Sequence, residues 1–273
     1  MPARRVVTLL VLTVGAVCCA SGTHSRSPLS VSPARSPFGE VANARWLYLA
    51  GPGGKRFLTA ILSPRGAGPF PVVVVLHGAD GLAPHYMTLA ETIAGAGFLV
   101  VVGCWQARPA GTGGRLCSEA TPQSEWVADP AANSGKELIT LARSLRDAKP
   151  DRVAIYGLSR GGHAALWAAS TGADVQAVVV DAPAHAPAIA PAPPSTLTIV
   201  AGLKAPLLLM HGTSDASIPV KQSREYEAAA KVAGKQIEAV YFDGVGHLVS
   251  LLPQSQTEAV ARALAFLRKH LSG

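Results

Sequence analysis

Charge is scarce in this chain and nowhere concentrated. Only 15% of its 273 residues are Asp, Glu, Lys or Arg, and the formal net charge of +7 is carried by lysines and arginines spaced singly along the sequence. A nucleic-acid-binding surface needs clustered basic residues with stacking aromatics, so this pattern argues instead for a mildly cationic, solvated surface. No uncharged apolar run reaches the roughly 20 residues that a membrane-spanning helix requires. Hydrophobic residues nevertheless make up 49% of the chain, which is too apolar for disorder. Cysteine is rare as well, with four in total. No further ligands stand near the cysteines at zinc-binding spacing, so no metal site is expected, and nothing calls for a nucleotide or flavin cofactor. The length suits one α/β domain, which at this size buries about 75% of its unfolded surface.

The amino-terminal segment separates from the rest by composition. Residues 1–20 combine Arg4 and Arg5, an apolar stretch over 6–17, and small residues before Ser21, the pattern of a cleaved export signal. A membrane anchor is the alternative, for which the stretch is short. A lipoprotein signal on Cys18 or Cys19 is another, for which Val17 and Cys18 are poor preceding residues. Residues 21–37 are rich in serine and proline and read as a flexible leader, so a single catalytic domain is expected over 38–273. Export to the periplasm or medium leaves Cys104 and Cys117 in oxidising surroundings and favours a disulfide between them. Such a bridge contributes roughly 3 kcal/mol by constraining the unfolded chain. Two free buried thiols are the other reading. Trp105, inside the loop so closed, is a possible pocket wall or a packing residue.

Along the domain, strand-like and helix-like segments alternate. "RWLYLA" and "RFLTAIL" flank the turn "GPGGK" and form an antiparallel start. Then follow strands at 72–77, 98–104, 152–157, 175–181, 205–212 and 238–244. Helices are expected around 86–96, 134–146, 160–170, 220–232 and 254–271. Runs such as "VVVV", apolar without alternation, indicate strands covered on both faces. Eight strands in a mostly parallel α/β sheet with helices on both sides result, and ligands of such sheets bind at the carboxyl ends of the strands.

At one of those ends stands "GLSRGG". Gly157-Leu158-Ser159-Arg160-Gly161 is a G-x-S-x-G sequence between an expected buried strand and an expected helix, the context in which this pattern presents a nucleophilic serine. The turn is sharp enough that side chains at the glycine positions would collide. A serine hydroxyl needs a base, itself oriented by an acid. "HGTSD" places Asp215 beyond one later strand, and "GVGH" places His247 beyond the last, so three strand ends supply Ser159, Asp215 and His247 in that chain order. Asp181, ending the strand between, is the rival acid. His185 lies in an Ala-Pro tract and is a poor base. His77 and His211 each precede a glycine at a strand end, where an imidazole braces a loop. His85 and His163 have no partner that the sequence can name. For the oxyanion formed on serine attack, "HGADG" offers the backbone N–H of Ala79, paired with that of Arg160.

Together "HGADG", "GLSRGG", "HGTSD" and "GVGH" resemble the α/β-hydrolase superfamily over 38–273. The pattern is most similar to the dienelactone hydrolase-like branch, because the segment 182–204 is too short for a full lid domain. It departs from dienelactone hydrolase itself in having serine where that enzyme has cysteine. The resemblance implies the α/β-hydrolase fold with a minimal lid. It also implies hydrolysis of small-molecule carboxylic esters through an acyl-enzyme. A peptidase of the prolyl oligopeptidase type would normally carry a large extra domain, and a binding protein on this fold would often lose a triad member.

Overall fold

The computed structural model describes residues 30–38, 43–50, 56–105, 130–185 and 195–272, except for the side chains of 130–133. These residues form one nine-stranded sheet in the order β1-β2-β3-β5-β4-β6-β7-β8-β9. The first three strands are Ser30–Pro33 (β1), Ala44–Ala50 (β2) and Arg56–Leu62 (β3), all joined antiparallel. The parallel portion comprises Phe70–Leu76 (β4), Leu99–Gly103 (β5), Ala148–Leu158 (β6), Ala177–Asp181 (β7), Leu207–Gly212 (β8) and Ile237–Phe242 (β9). β5 lies between β3 and β4, antiparallel to the first and parallel to the second.

Nine strands rather than eight reflect β1, which falls in the stretch expected to be a flexible leader; the described fold therefore begins at Ser30, not near Phe38. Its reason is backbone pairing rather than burial. Ser30 through Pro33 are mostly exposed and pair with Ala50 through Leu47 along one edge, so no apolar pattern announces them. The "GPGGK" turn lies outside the described residues.

The central strands are buried on both faces, as their unbroken β-branched runs require. Val73 and Val75 of β4 point into one layer with Leu89 and Ile93 of α1 (Pro84–Gly95) and Phe266 and Leu267 of α5 (Gln256–Leu271). Val72, Val74 and Leu76 point into the opposite layer. There they join Leu138 and Ile139 of α2 (Pro130–Arg143), Leu166 of α3 (Arg160–Ser170) and Tyr226 of α4 (Val220–Val232). Each fully buried aliphatic side chain contributes about 1.5–3 kcal/mol, and a sheet clamped in this way holds its carboxyl-terminal edge rigid. No helix of the described residues is long and apolar enough to cross a membrane.

Candidate active site

Ser159 sits at the turn from β6 into α3 with φ 54° and ψ −115°, outside the regions that L-residues normally occupy. The turn is held by the Ser159 amide donating to the Asp181 carbonyl at 2.8 Å, and by the Gly162 and His163 amides donating to the Ser159 carbonyl. The glycines answer to space. A Cβ on Gly161 would overlap the Leu76 carbonyl oxygen, and one on Gly157 would overlap the carbonyl of Gly161. Strand, elbow and helix thus close on one another with no room for a methyl group. Two other non-glycine residues with positive φ border this edge, Ala182 at 49° and Leu248 at 67°.

The candidate base and acid arrive from the loops after β9 and β8. His247, after β9, places Nε2 3.0 Å from Ser159 Oγ and Nδ1 2.6 Å from Asp215 Oδ2. Asp215, after β8, also takes amide hydrogen bonds on Oδ1 from Ser217 at 2.8 Å and Ile218 at 2.9 Å. A second imidazole reaches the same carboxylate, His211 Nε2 lying 3.0 Å from Oδ2. Burial opposes ionisation of Asp215, but the hydrogen bonds from His211, His247 and the Ile218 amide outweigh it and hold the carboxyl well below its ordinary range. An ionised Asp215 fixes the proton of His247 on Nδ1 and leaves the Nε2 lone pair facing the serine.

Asp181 fills a different role. Its carboxylate is completely buried and accepts from the Val249 amide at 3.1 Å, the Ser250 amide at 2.8 Å and the Ser250 hydroxyl at 2.5 Å. Tyr156 completes this cluster through a 2.6 Å hydrogen bond between its hydroxyl and Ser250 Oγ. Burial pushes the Asp181 carboxyl above its ordinary value despite those donors. It thus anchors the backbone that follows His247 while Asp215 holds the imidazole.

On the other flank, the loop after β4 runs beside the serine. A Cβ on Gly78 would lie 3.4 Å from Ser159 Cβ. The Ala79 N–H in this loop has no hydrogen-bond acceptor among the described residues. Arg160 opens α3 directly after the nucleophile, so its amide lies at the helix amino terminus. Trp105 does not form an exposed wall. Its ring has no solvent-accessible surface, packs 5.6 Å from His77 and donates from Nε1 to the His77 carbonyl at 3.1 Å. Of the two roles left open for it, wall or packing residue, its burial fits the second: the large apolar ring is drawn into the layer beneath β4, and its single donor braces the loop. Cys117 lies outside the described residues.

The remaining histidines are mostly structural. His77 is buried, Nδ1 donates to the Gly78 carbonyl at 2.8 Å, and burial pushes its pKa down to about 4. His163 behaves alike, donating to the Ala184 carbonyl at 2.9 Å with its pKa lowered to about 4 by burial. His185 bonds Glu225 at 2.7 Å, far from a basic role toward Ser159. His211 braces its loop as expected, through Ser223 and the Ile218 carbonyl, and beyond that expectation it contacts Asp215. The histidine four residues before the acid was the signal available. Among the described residues no three His, Cys, Asp or Glu side chains gather as a metal site.

A mostly parallel, doubly covered sheet with Ser159, His247 and Asp215 linked at its carboxyl edge defines an α/β hydrolase. More narrowly, the chain belongs to the dienelactone hydrolase family, whose model matches residues 57–269. A Methylorubrum extorquens protein named for carboxymethylenebutenolidase is 28% identical over 189 residues, 67% of this chain. The chain spans 65% of that relative's length. Among solved structures, a Klebsiella pneumoniae protein named for dienelactone hydrolase superposes with a TM-score of 0.67 at 19% identity. That match covers 89% of this chain and 100% of the other. A Thermogutta terrifontis esterase superposes with a TM-score of 0.68 at 17% identity, covering 88% and 99%.

Proposed function

We propose that the protein is an exported serine esterase that cleaves small carboxylic esters through an acyl-enzyme on Ser159. The observation that carries this is the hydrogen-bonded relay of Ser159 Oγ, His247 and Asp215 at 3.0 and 2.6 Å. In the acylation step Ser159 Oγ attacks the ester carbonyl carbon and its proton passes to His247 Nε2. The carbonyl electron pair moves onto oxygen, which is stabilised by the N–H groups of Ala79 and Arg160. Collapse breaks the bond to the alcohol, which leaves with the proton from His247. Water then repeats the sequence on the acyl-serine, releasing the carboxylic acid and restoring the hydroxyl. Asp215 keeps its charge throughout and stabilises the imidazolium.

The neighbours favour an ester of modest size. The Thermogutta esterase is described with propionate bound and, in another structure, phosphorylated by paraoxon. Both ligands suit an open site without a deep lid. Export by the 1–20 signal and a Cys104–Cys117 bridge complete the reading. The test is incubation with a fluorophosphonate followed by peptide mapping, alongside turnover of short p-nitrophenyl esters. One adduct on Ser159, with ester turnover and no free thiol in protein recovered outside the cytoplasm, is expected. Absence of both labelling and turnover would sink the esterase reading in favour of a binding protein.

A further inference from the structure

The loop carrying Ala79 is held by a cluster that the triad does not use. Tyr86, on the first turn of α1, is fully buried; its hydroxyl accepts from the Gly78 amide at 2.8 Å and donates to Asp80 Oδ1 at 2.6 Å. The other carboxylate oxygen, Oδ2, lies 3.0 Å from His85 Nε2. Burial works against the Asp80 charge, but the hydrogen bonds from His85 and Tyr86 hold the carboxyl below its ordinary range, so it is an ionised acceptor at neutral pH. The Gly78 carbonyl in turn accepts from the Gly81 amide at 3.2 Å, and Gly81 has φ 83°.

This geometry sorts two adjacent amides. The Gly78 N–H is consumed by Tyr86, while the Ala79 N–H, one residue on, is left without an acceptor among the described residues. Tyr86, Asp80 and Ser159 also close together on the space beside the Gly78 Cα. A Cβ built there would be 2.8 Å from the Tyr86 hydroxyl, 2.9 Å from Asp80 Oδ1 and 3.4 Å from Ser159 Cβ. We infer that Tyr86 is a positioning residue: anchored by Asp80 and His85, its hydroxyl clamps Gly78 so that the Ala79 N–H is aimed at the oxyanion formed on Ser159. The inference rests on the esterase reading above. Such a clamp touches neither substrate nor nucleophile, and it acts where charge develops rather than where substrate binds, so its loss should appear in kcat more than in KM.

The test compares Tyr86→Phe, Asp80→Ala and Asp80→Asn with the wild type on p-nitrophenyl butyrate, with n-butylboronic acid as a probe that adds to Ser159 and places an oxygen where the oxyanion forms. Losing one oxyanion donor outright costs about 100- to 1000-fold, and a loosened donor should cost less. Tyr86→Phe is expected to lower kcat about tenfold, to leave KM within about twofold, and to weaken the boronic acid by a factor similar to that in kcat. Asp80→Ala should follow in the same direction. Asp80→Asn, whose amide oxygen still accepts from Tyr86, should recover much of the loss. Wild-type kcat and boronate affinity in Tyr86→Phe would overturn the clamp, as would a loss confined to KM or to thermal stability. Should Tyr86→Phe fail to fold, the two substitutions at the half-exposed Asp80 decide the matter by the same measurements. A wild type that neither turns over the ester nor binds the boronic acid defeats the esterase reading instead, whereas an active wild type with unaffected variants defeats the clamp alone.

Discussion

Asp181 and Asp215 stand at the carboxyl ends of neighbouring parallel strands, β7 and β8, yet their surroundings push them in opposite directions. Asp181 has three donors, all from Val249 and Ser250, and none is an imidazole. Asp215 has two backbone amides on one oxygen and two imidazoles on the other. Desolvation prevails at the first and hydrogen bonding at the second. A carboxylate at a strand end therefore becomes an orienting acid through what reaches it, not through where it stands. The two are also linked, since the backbone that Asp181 anchors, at Val249 and Ser250, follows closely on His247, which Asp215 contacts.

The largest expected difference between them is in turnover. Asp215→Asn should lower kcat by about ten-thousandfold, because an amide cannot hold His247 in the required tautomer. Asp181→Asn should cost about tenfold or less, through a looser His247 loop alone. Steady-state kinetics on a p-nitrophenyl ester, with folding checked by circular dichroism, gives the ranking, and its reversal would transfer the orienting role to Asp181.

A smaller effect separates anchor from acid by stability. Ser250→Ala removes the hydroxyl between Tyr156 and Asp181 and leaves buried polar groups short of a partner, which should cost about 1–3 kcal/mol. Urea unfolding measures that loss, with kcat expected to change much less than in Asp215→Asn. A variant as stable as the wild type would show that Asp181 is not an anchor.

The finest test is the sign of the pH dependence. Asp181, with its folded pKa raised above the ordinary 3.8, adds stability below that value and loses it as pH rises through the raised one. Asp215, with its folded pKa depressed, adds stability above 3.8 and loses it as pH falls further. His77 and His163, lowered from 6.5 to about 4, remove stability as pH falls between those values, but they do so in every variant and cancel in a difference. Unfolding free energy of wild type minus Asn variant should therefore fall with rising pH for Asp181 and rise for Asp215. Slopes of the same sign would end the distinction.

The sheet and the three partners of the relay were legible because each rests on local signals. Apolar runs mark the buried strands, and Ser159, Asp215 and His247 lie in the turns and loops that follow β6, β8 and β9. β1 was not legible, since an edge strand of serines is specified by pairing alone. Nor was the cluster of Asp80, His85 and Tyr86, whose members meet only when α1 folds back over the loop after β4. Trp105 shows the same limit from the other side. Its position beside a strand end left wall and packing residue both open, because whether a ring faces inward or outward is decided by the layer packed beneath it. The sequence favoured Asp215 over Asp181 as the acid, but that Asp181 instead meets Val249, Ser250 and, through Ser250, Tyr156 is not carried by spacing in sequence.

The positive φ values at Ser159, Ala182 and Leu248 have a thermal consequence. Each holds a side-chain-bearing residue in a conformation that costs on the order of 1–3 kcal/mol and persists only while its neighbours enforce it. Three such residues on one edge make that edge the part of the molecule with most to gain by relaxing, while the core of β4 to β8 has nothing comparable to release. On warming, the geometry around Ser159 should slacken before the sheet does, and heat would then silence the enzyme at temperatures where most of its backbone is still folded.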